Sequence, residues 1–149
     1  METTINKNLK LLQDNIGENL TNKAPAPVSR WLGGTLMEAE EGAVRLDFTV
    51  REDMTNAAQI LHGGIMSTMI DEVMGFAIFT LDLEYFFPTV NLNVDFMAPT
   101  HIGDTVQLRS SITKKGRTMV YIEATAHNQD GKLLAKGSSH VAKSHIKVK

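Results

Sequence analysis

Between Arg51 and Arg109 the chain runs for 57 residues without a single Lys or Arg. Inside that span, residues 65–79 are apolar apart from Ser67, Thr68, Asp71, Glu72 and Gly75, which is the length and composition of a buried helix. A buried carboxylate is costly unless it is hydrogen-bonded, paired or used. No cation stands nearby in sequence to serve as the cheap partner. The rest of the chain must therefore cover this helix, and the question the sequence poses is what Asp71 is for.

The flanking sequence supplies the wrapping. Ile5, Leu9, Leu11, Leu12 and Ile16 repeat at helical spacing up to Gly17, which predicts a short amphipathic helix over 5–17. A loop with Pro25 and Pro27 follows. Residues 35–39, the turn Glu40-Glu41-Gly42, and Val44, Leu46, Phe48 and Val50 alternating with polar residues predict a hairpin. Residues 52–61 form a loop into His62-Gly63-Gly64, and the long helix runs from there to about Leu81. After Pro88, Val90, Leu92, Val94 and Phe96 alternate with Thr89, Asn91, Asn93 and Asp95. Strands follow at about 105–113, 118–127 and 133–142, separated by Lys114-Lys115-Gly116-Arg117 and Asn128-Gln129-Asp130-Gly131, both with hairpin-turn chemistry. Short links make the sheet mainly antiparallel, with the helix on one face: an α+β domain. The length, 149 residues, suits one domain.

On a helical wheel at ~100° per residue, Gly64, Ser67, Thr68, Asp71 and Gly75 share one side. Met66, Met69, Ile70, Val73, Phe76, Ala77 and Leu81 occupy the other. The first set is either a solvated face or one that a backbone or ligand approaches closely, as small residues allow. Glu72, one step further round, is expected to be the solvated carboxylate of the pair.

Several function classes are disfavoured. A net charge of −2 is no footprint for nucleic acid. Asp71 and Glu72 interrupt the only candidate membrane span. Residues 1–20 carry Glu2, Lys7, Lys10, Asp14 and Glu18 and lack the apolar core of a signal peptide. There is no cysteine, so disulfides and thiolate chemistry are excluded. His101, His127, His140 and His145 lack ligand spacing, so no metal is expected. No G-x-S-x-G occurs, and Ser67 has no evident base. Cytoplasmic residence fits these observations.

Asn56-Ala57-Ala58-Gln59-Ile60-Leu61-His62-Gly63-Gly64, with Asp71 nine residues after His62, resembles the hotdog-fold acyl-CoA thioesterases of the phenylacetate-pathway type. The resemblance runs over about 29–142, leaving an N-terminal helix and loop (1–28) and a tail (143–149). It includes residues 88–99 with Gly103-Asp104, the Lys115-Gly116-Arg117-Thr118 turn and the closing 131–137 segment. It implies an antiparallel sheet wrapped around one long central helix. It also implies hydrolysis of an acyl-CoA to a free acid and coenzyme A, with no metal or redox cofactor. Asp71 would be general base or nucleophile, and the Gly63 N–H would polarise the thioester carbonyl. Asn56 and His62 would organise the loop and thioester, and Thr89 would help place the water. Gly64, Lys115, Arg117, Lys136, Gly137 and Ser138 would contact the substrate, the last five toward its nucleotide end.

The residues support parts of this independently. Orphan N–H groups at a helix start suit a developing oxyanion, and a carboxylate in apolar surroundings is a stronger base once ionised. His62 to Asp71 spans about 13 Å along a helix axis, too far for one chain to bring both ends to one carbonyl. Two antiparallel helices of a twofold dimer can do so, and the resemblance likewise places sites at the interface of a homodimer or of a homotetramer built as a dimer of dimers. Simpler readings stay open: His62 as a brace at the helix start, Lys114, Lys115 and Arg117 as a solvated tip, Phe86 and Phe87 as core. A non-catalytic acyl-CoA or fatty-acid binder is the alternative function. A hotdog dehydratase would resemble a His-Phe-Pro-Gly loop, which this chain lacks.

Overall fold

The computed structural model describes residues 3–149; the first two residues of the N-terminal segment lie outside it. Three helices, α1 (Lys7–Gln13), α2 (Pro27–Leu32) and α3 (Gly63–Phe79), accompany six strands. The strands are β1 (Thr35–Glu40), β2 (Ala43–Thr49), β3 (Thr89–Phe96), β4 (Thr105–Lys115), β5 (Met119–Asn128) and β6 (Leu133–Ala142). They form one antiparallel sheet in the order β1-β2-β4-β5-β6-β3. The chain crosses through α3 from β2, next to one edge, to β3 at the other edge, so the helix lies across the face it must bury against.

The expected alternation holds. Val44, Leu46 and Phe48 of β2, Val106 and Leu108 of β4, and Val120, Ile122, Ala124 and Ala126 of β5 are all buried. They meet Met66, Met69, Ile70, Val73, Met74 and Ala77 of α3. Two contacts fix how the helix sits. The buried Ser110 hydroxyl donates to the Val73 carbonyl at 2.8 Å. A Cβ on Gly137 would stand 2.7 Å from Cγ2 of Ile70, so β6 approaches α3 there as closely as a bare backbone allows. Gly137 is thus buried under the helix, where packing against Ile70 leaves no room for a side chain.

Some boundaries move. The first helix ends at Gln13, and the chain turns out to Gly17, whose φ is +87°. The long helix stops at Phe79 rather than Leu81. Thr80 closes it, its hydroxyl donating to the Ala77 carbonyl and accepting from the Gly42 N–H. The loop expected around Pro25 and Pro27 contains α2, opened by Pro27 in its first turn, where a missing N–H costs nothing.

The two sheet edges differ. The β1 edge is covered by the N-terminal arm: Gly17 N–H donates to the Leu36 carbonyl, Leu36 N–H to the Glu18 carbonyl, and the Gln13 amide to the Ala39 carbonyl. Among the described residues the β3 edge has no strand partner beyond β6. Its apolar residues alternate as expected, yet Val90 is 59% exposed and Phe96 57%.

Adding the missing methyl to Gly137 forces Ile70 or the strand to shift. Gly137→Ala should therefore destabilise the fold by about 1–3 kcal/mol, read as a lower denaturation midpoint with an unchanged slope.

Candidate functional site

The loop before α3 is built by its own polar groups. The Asn56 side-chain oxygen accepts from the N–H groups of Ala58 (3.0 Å) and Ile60 (3.4 Å), while the Asn56 N–H donates to the Ile60 carbonyl. Gln59 takes a positive φ of 61° inside this turn. The loop is then docked on the 100–104 turn: Leu61 N–H donates to the Thr100 carbonyl, and Ile60 bridges His101. Asp104 holds that turn, accepting from the His101 N–H and the Thr100 hydroxyl. The His101 N–H foremost, then the Gln129 amide that donates to its other oxygen, and the Thr100 hydroxyl keep its carboxyl below the ordinary range. This explains why Gly103-Asp104 belongs with the loop's sequence pattern.

His62 caps α3. Its Nδ1 accepts the Gly64 N–H at 2.9 Å, which puts the ring proton on Nε2. A Cβ on Gly64 would lie 3.0 Å from that ring, so the second glycine makes room for the imidazole. Gly64 therefore serves the cap, and its N–H is already engaged. The Gly63 N–H has no acceptor among the described residues. Phe96 closes over this point, 3.4 Å from where a Gly63 Cβ would be. Of the two glycine amides expected near substrate, the one left to donate is Gly63.

Two turns along, Asp71 accepts from the Thr89 hydroxyl at 3.0 Å, a contact between α3 and the first residue of β3. In the single chain Asp71 is exposed, contrary to the expectation that it lies buried. Next to it lie two cavities, of 670 and 420 Å³, which share Asp71, Gly75 and Phe79. The half-buried carboxylate is Glu72, expected to be the solvated one. It accepts from the buried Ser29 hydroxyl of α2 at 2.5 Å. Burial pushes the Glu72 carboxyl upward and the Asp71 charge adds to this, while the Ser29 hydrogen bond opposes it. The reversal has a simple cause: α2, absent from the sequence reading, covers the helix one 100° step away from Asp71.

The cations expected to meet coenzyme A are exposed and divide between the sheet's two ends. Lys115 and Arg117 sit at the β4–β5 tip. There Met119 pairs with Ala142, whose N–H donates to the Pro88 carbonyl beside Thr89. That is the Asp71 end. Lys136 pairs in register with Asp95, next to the Phe96 that covers Gly63, at the helix-start end. Ser138, half-buried, lies opposite Asn93 and Glu123. The sequence reading missed Ser29 and Phe96 as neighbours of the site. Nothing local marks Ser29, whereas Phe96 is the last apolar residue of an alternating strand.

Known proteins share this fold. The model of the Thioesterase superfamily matches residues 58–135. Human acyl-coenzyme A thioesterase 13 is 30% identical over 104 residues, 69% of this chain and 74% of that protein. The Escherichia coli PaaI protein of the phenylacetic acid degradation operon superposes with a TM-score of 0.78 at 20% identity, over 84% of this chain and 89% of that one. A Streptococcus mutans protein bound to acetyl CoA gives a TM-score of 0.76 at 20% identity, over 86% and 98%. The sheet and helix described above are thus the hotdog fold.

Two outcomes are expected from this geometry. His62→Ala should cost about 1 kcal/mol of stability and His62→Asn should regain most of it, because Asn also caps; chemical denaturation measures both. Glu72 holds its proton more tightly folded than unfolded, so its stabilising contribution is full in acid and is lost as pH rises through the folded value. Glu72→Gln still accepts from Ser29 and cannot ionise. Its Tm should match the wild type below the carboxylate range and exceed it at neutral pH.

Proposed function

The chain belongs to the Thioesterase superfamily and is a thioester hydrolase, and on that premise we propose that its substrate is an acyl-CoA, hydrolysed at sites shared between two copies. The observation that supports this best is the Asp71 carboxylate, held by Thr89 and open to two cavities, on the same helix whose first N–H, that of Gly63, is unclaimed among the described residues.

Hydrolysis adds water across the C–S bond. Oxygen joins the carbonyl carbon, the thiolate leaves, and a proton ends on sulfur. The Gly63 N–H, at the positive end of α3, receives the charge that builds on the carbonyl oxygen. Asp71 drives the addition, either as a base on water or as the attacking nucleophile, with Thr89 orienting the carboxylate. Asn56 shapes the loop that presents Gly63, and His62 spends Nδ1 on the helix cap and keeps Nε2–H for substrate. Lys115, Arg117, Lys136 and Ser138 lie where a nucleotide carried across the interface would meet them.

Two copies are needed because Gly63 and Asp71 are eight residues apart on one continuous helix, about 12 Å along its axis. A catalytic base works within ~3 Å of its water. The bare β3 edge suits such pairing. It exposes Val90, Phe96 and Met97 and carries none of the Lys or Pro guards that isolated edges use. An antiparallel partner would bring its Gly63 toward this chain's Asp71. A non-catalytic binder would have no use for an oriented carboxylate.

Asp71→Asn should lower kcat by about 10²–10⁴ and leave acyl-CoA binding intact. Gly63→Pro should also be inactive, since it removes the N–H at a helical position that tolerates proline. Co-refolding the two inactive variants should restore activity, because each mixed dimer keeps one site with both groups. Thiol release no greater than the variants' own sum would refute sharing.

A further inference from the structure

The two cavities that meet at Asp71 differ in kind. The smaller, 420 Å³, lies against the segment before β3, and the C-terminal Val148 and Lys149 stand in its wall with Asn8. The larger, 670 Å³, lies between α3 and the N-terminal arm and runs past Phe76 and Phe79 to Leu11, Leu12, Leu20, Ala24 and Leu36. We propose that this larger groove holds the acyl chain of the substrate, and that the N-terminal arm rather than the sheet sets the chain length accepted. The ligand class is an uncharged aliphatic acyl group of medium length or longer. The inference rests on the acyl-CoA hydrolase reading given above.

Position is the first argument. The groove begins at Asp71 and at Gly75 one turn on, where a Cβ would meet nothing within 4 Å. A chain leaving a carbonyl at Asp71 can therefore pass over Gly75 without obstruction. Lining is the second. Leu11 is 55% exposed and Phe79 38%, and both face a cavity backed by buried Leu12, Leu20 and Leu36, so apolar surface is left without a cover of its own. The volume lies within the ~300–1,000 Å³ range of small-molecule pockets. Charge is the third. Glu18 and Lys23 pair with each other at 3.2 Å and both are exposed, so with the half-buried Asn15 they form a rim. The inner ionisable group is Glu72, fastened to Ser29. Burial there disfavours the charge on Glu72 itself.

Thiol release measured on straight-chain acyl-CoAs from acetyl to palmitoyl tests the assignment. Wild-type kcat/KM should climb by about fourfold per added methylene until the groove is full, the value of one buried CH₂. Leu11→Trp fills the groove from an exposed wall position; it should lower the ratio of kcat/KM for dodecanoyl-CoA to that for acetyl-CoA by about tenfold or more. Leu11→Ala should move the preference toward longer chains. Phe86→Ala, in the wall of the smaller cavity, should leave the chain-length profile in place. A profile moved by Phe86→Ala and untouched by both Leu11 variants would overturn the proposal. No thiol release by the wild type from any substrate would instead remove the acyl-CoA hydrolase reading. Calorimetric titration with dodecanoate then decides the groove by itself: affinity lost in Leu11→Trp keeps it, and equal affinity in both proteins rejects it.

Discussion

The seating of α3 on the sheet is the constraint on which everything else depends. Ile70 presses on the bare backbone of Gly137, and Val73 is pinned by the Ser110 hydroxyl. Between them these contacts fix both the height and the rotation of the helix. With Met69, Ile70, Val73 and Ala77 fully buried, a step of 100° per residue leaves no freedom over where the remaining side chains go. Asp71 must face outward, and Glu72 must face the N-terminal arm. A close-packed interior resists intermediate positions, so the site inherits its geometry from the core.

That rotation gives two adjacent carboxylates opposite surroundings. Asp71 is exposed and oriented by one neutral hydroxyl from β3. Glu72 is half-buried against α2, and burial raises its affinity for a proton. Neighbouring carboxyl groups held in unlike environments can take unlike tasks. Here one stands exposed beside two cavities and the other fastens the N-terminal arm to the helix. The arm in turn covers the β1 edge, which leaves β3 as the edge open to a second copy.

The helix start shows how a short motif is a set of physical requirements. His62 needs an N–H to cap, Gly64 supplies it, and only a residue without Cβ lets the ring lie so close. Capping Gly64 leaves Gly63 as the unclaimed donor at the positive end of the helix. The loop behind it is shaped by Asn56 and anchored on the turn that Asp104 holds, so residues far apart in sequence serve the presentation of one amide.

By itself the sequence determined the elements and their faces. Strand alternation and helical spacing are local, period-two and near-period-four patterns, and all six strands and the long helix were readable from them to within a few residues. The resemblance carried Asp71 and Thr89, and the structure joins them across 18 positions. Tertiary structure alone decided what covers what. α2 is six residues long, too short for a periodicity, and two prolines disguised it as loop, so its cover over Glu72 was invisible. The sequence reading therefore exchanged the exposed and half-buried carboxylates. The packing that requires a glycine at 137 was not legible either, because the approach of Ile70 comes from another element. The bare β3 edge was hidden too, because alternation shows which face is apolar but not whether anything lies against it. Periodicity is written in neighbours along the chain; cover and exposure depend on segments that meet only after folding.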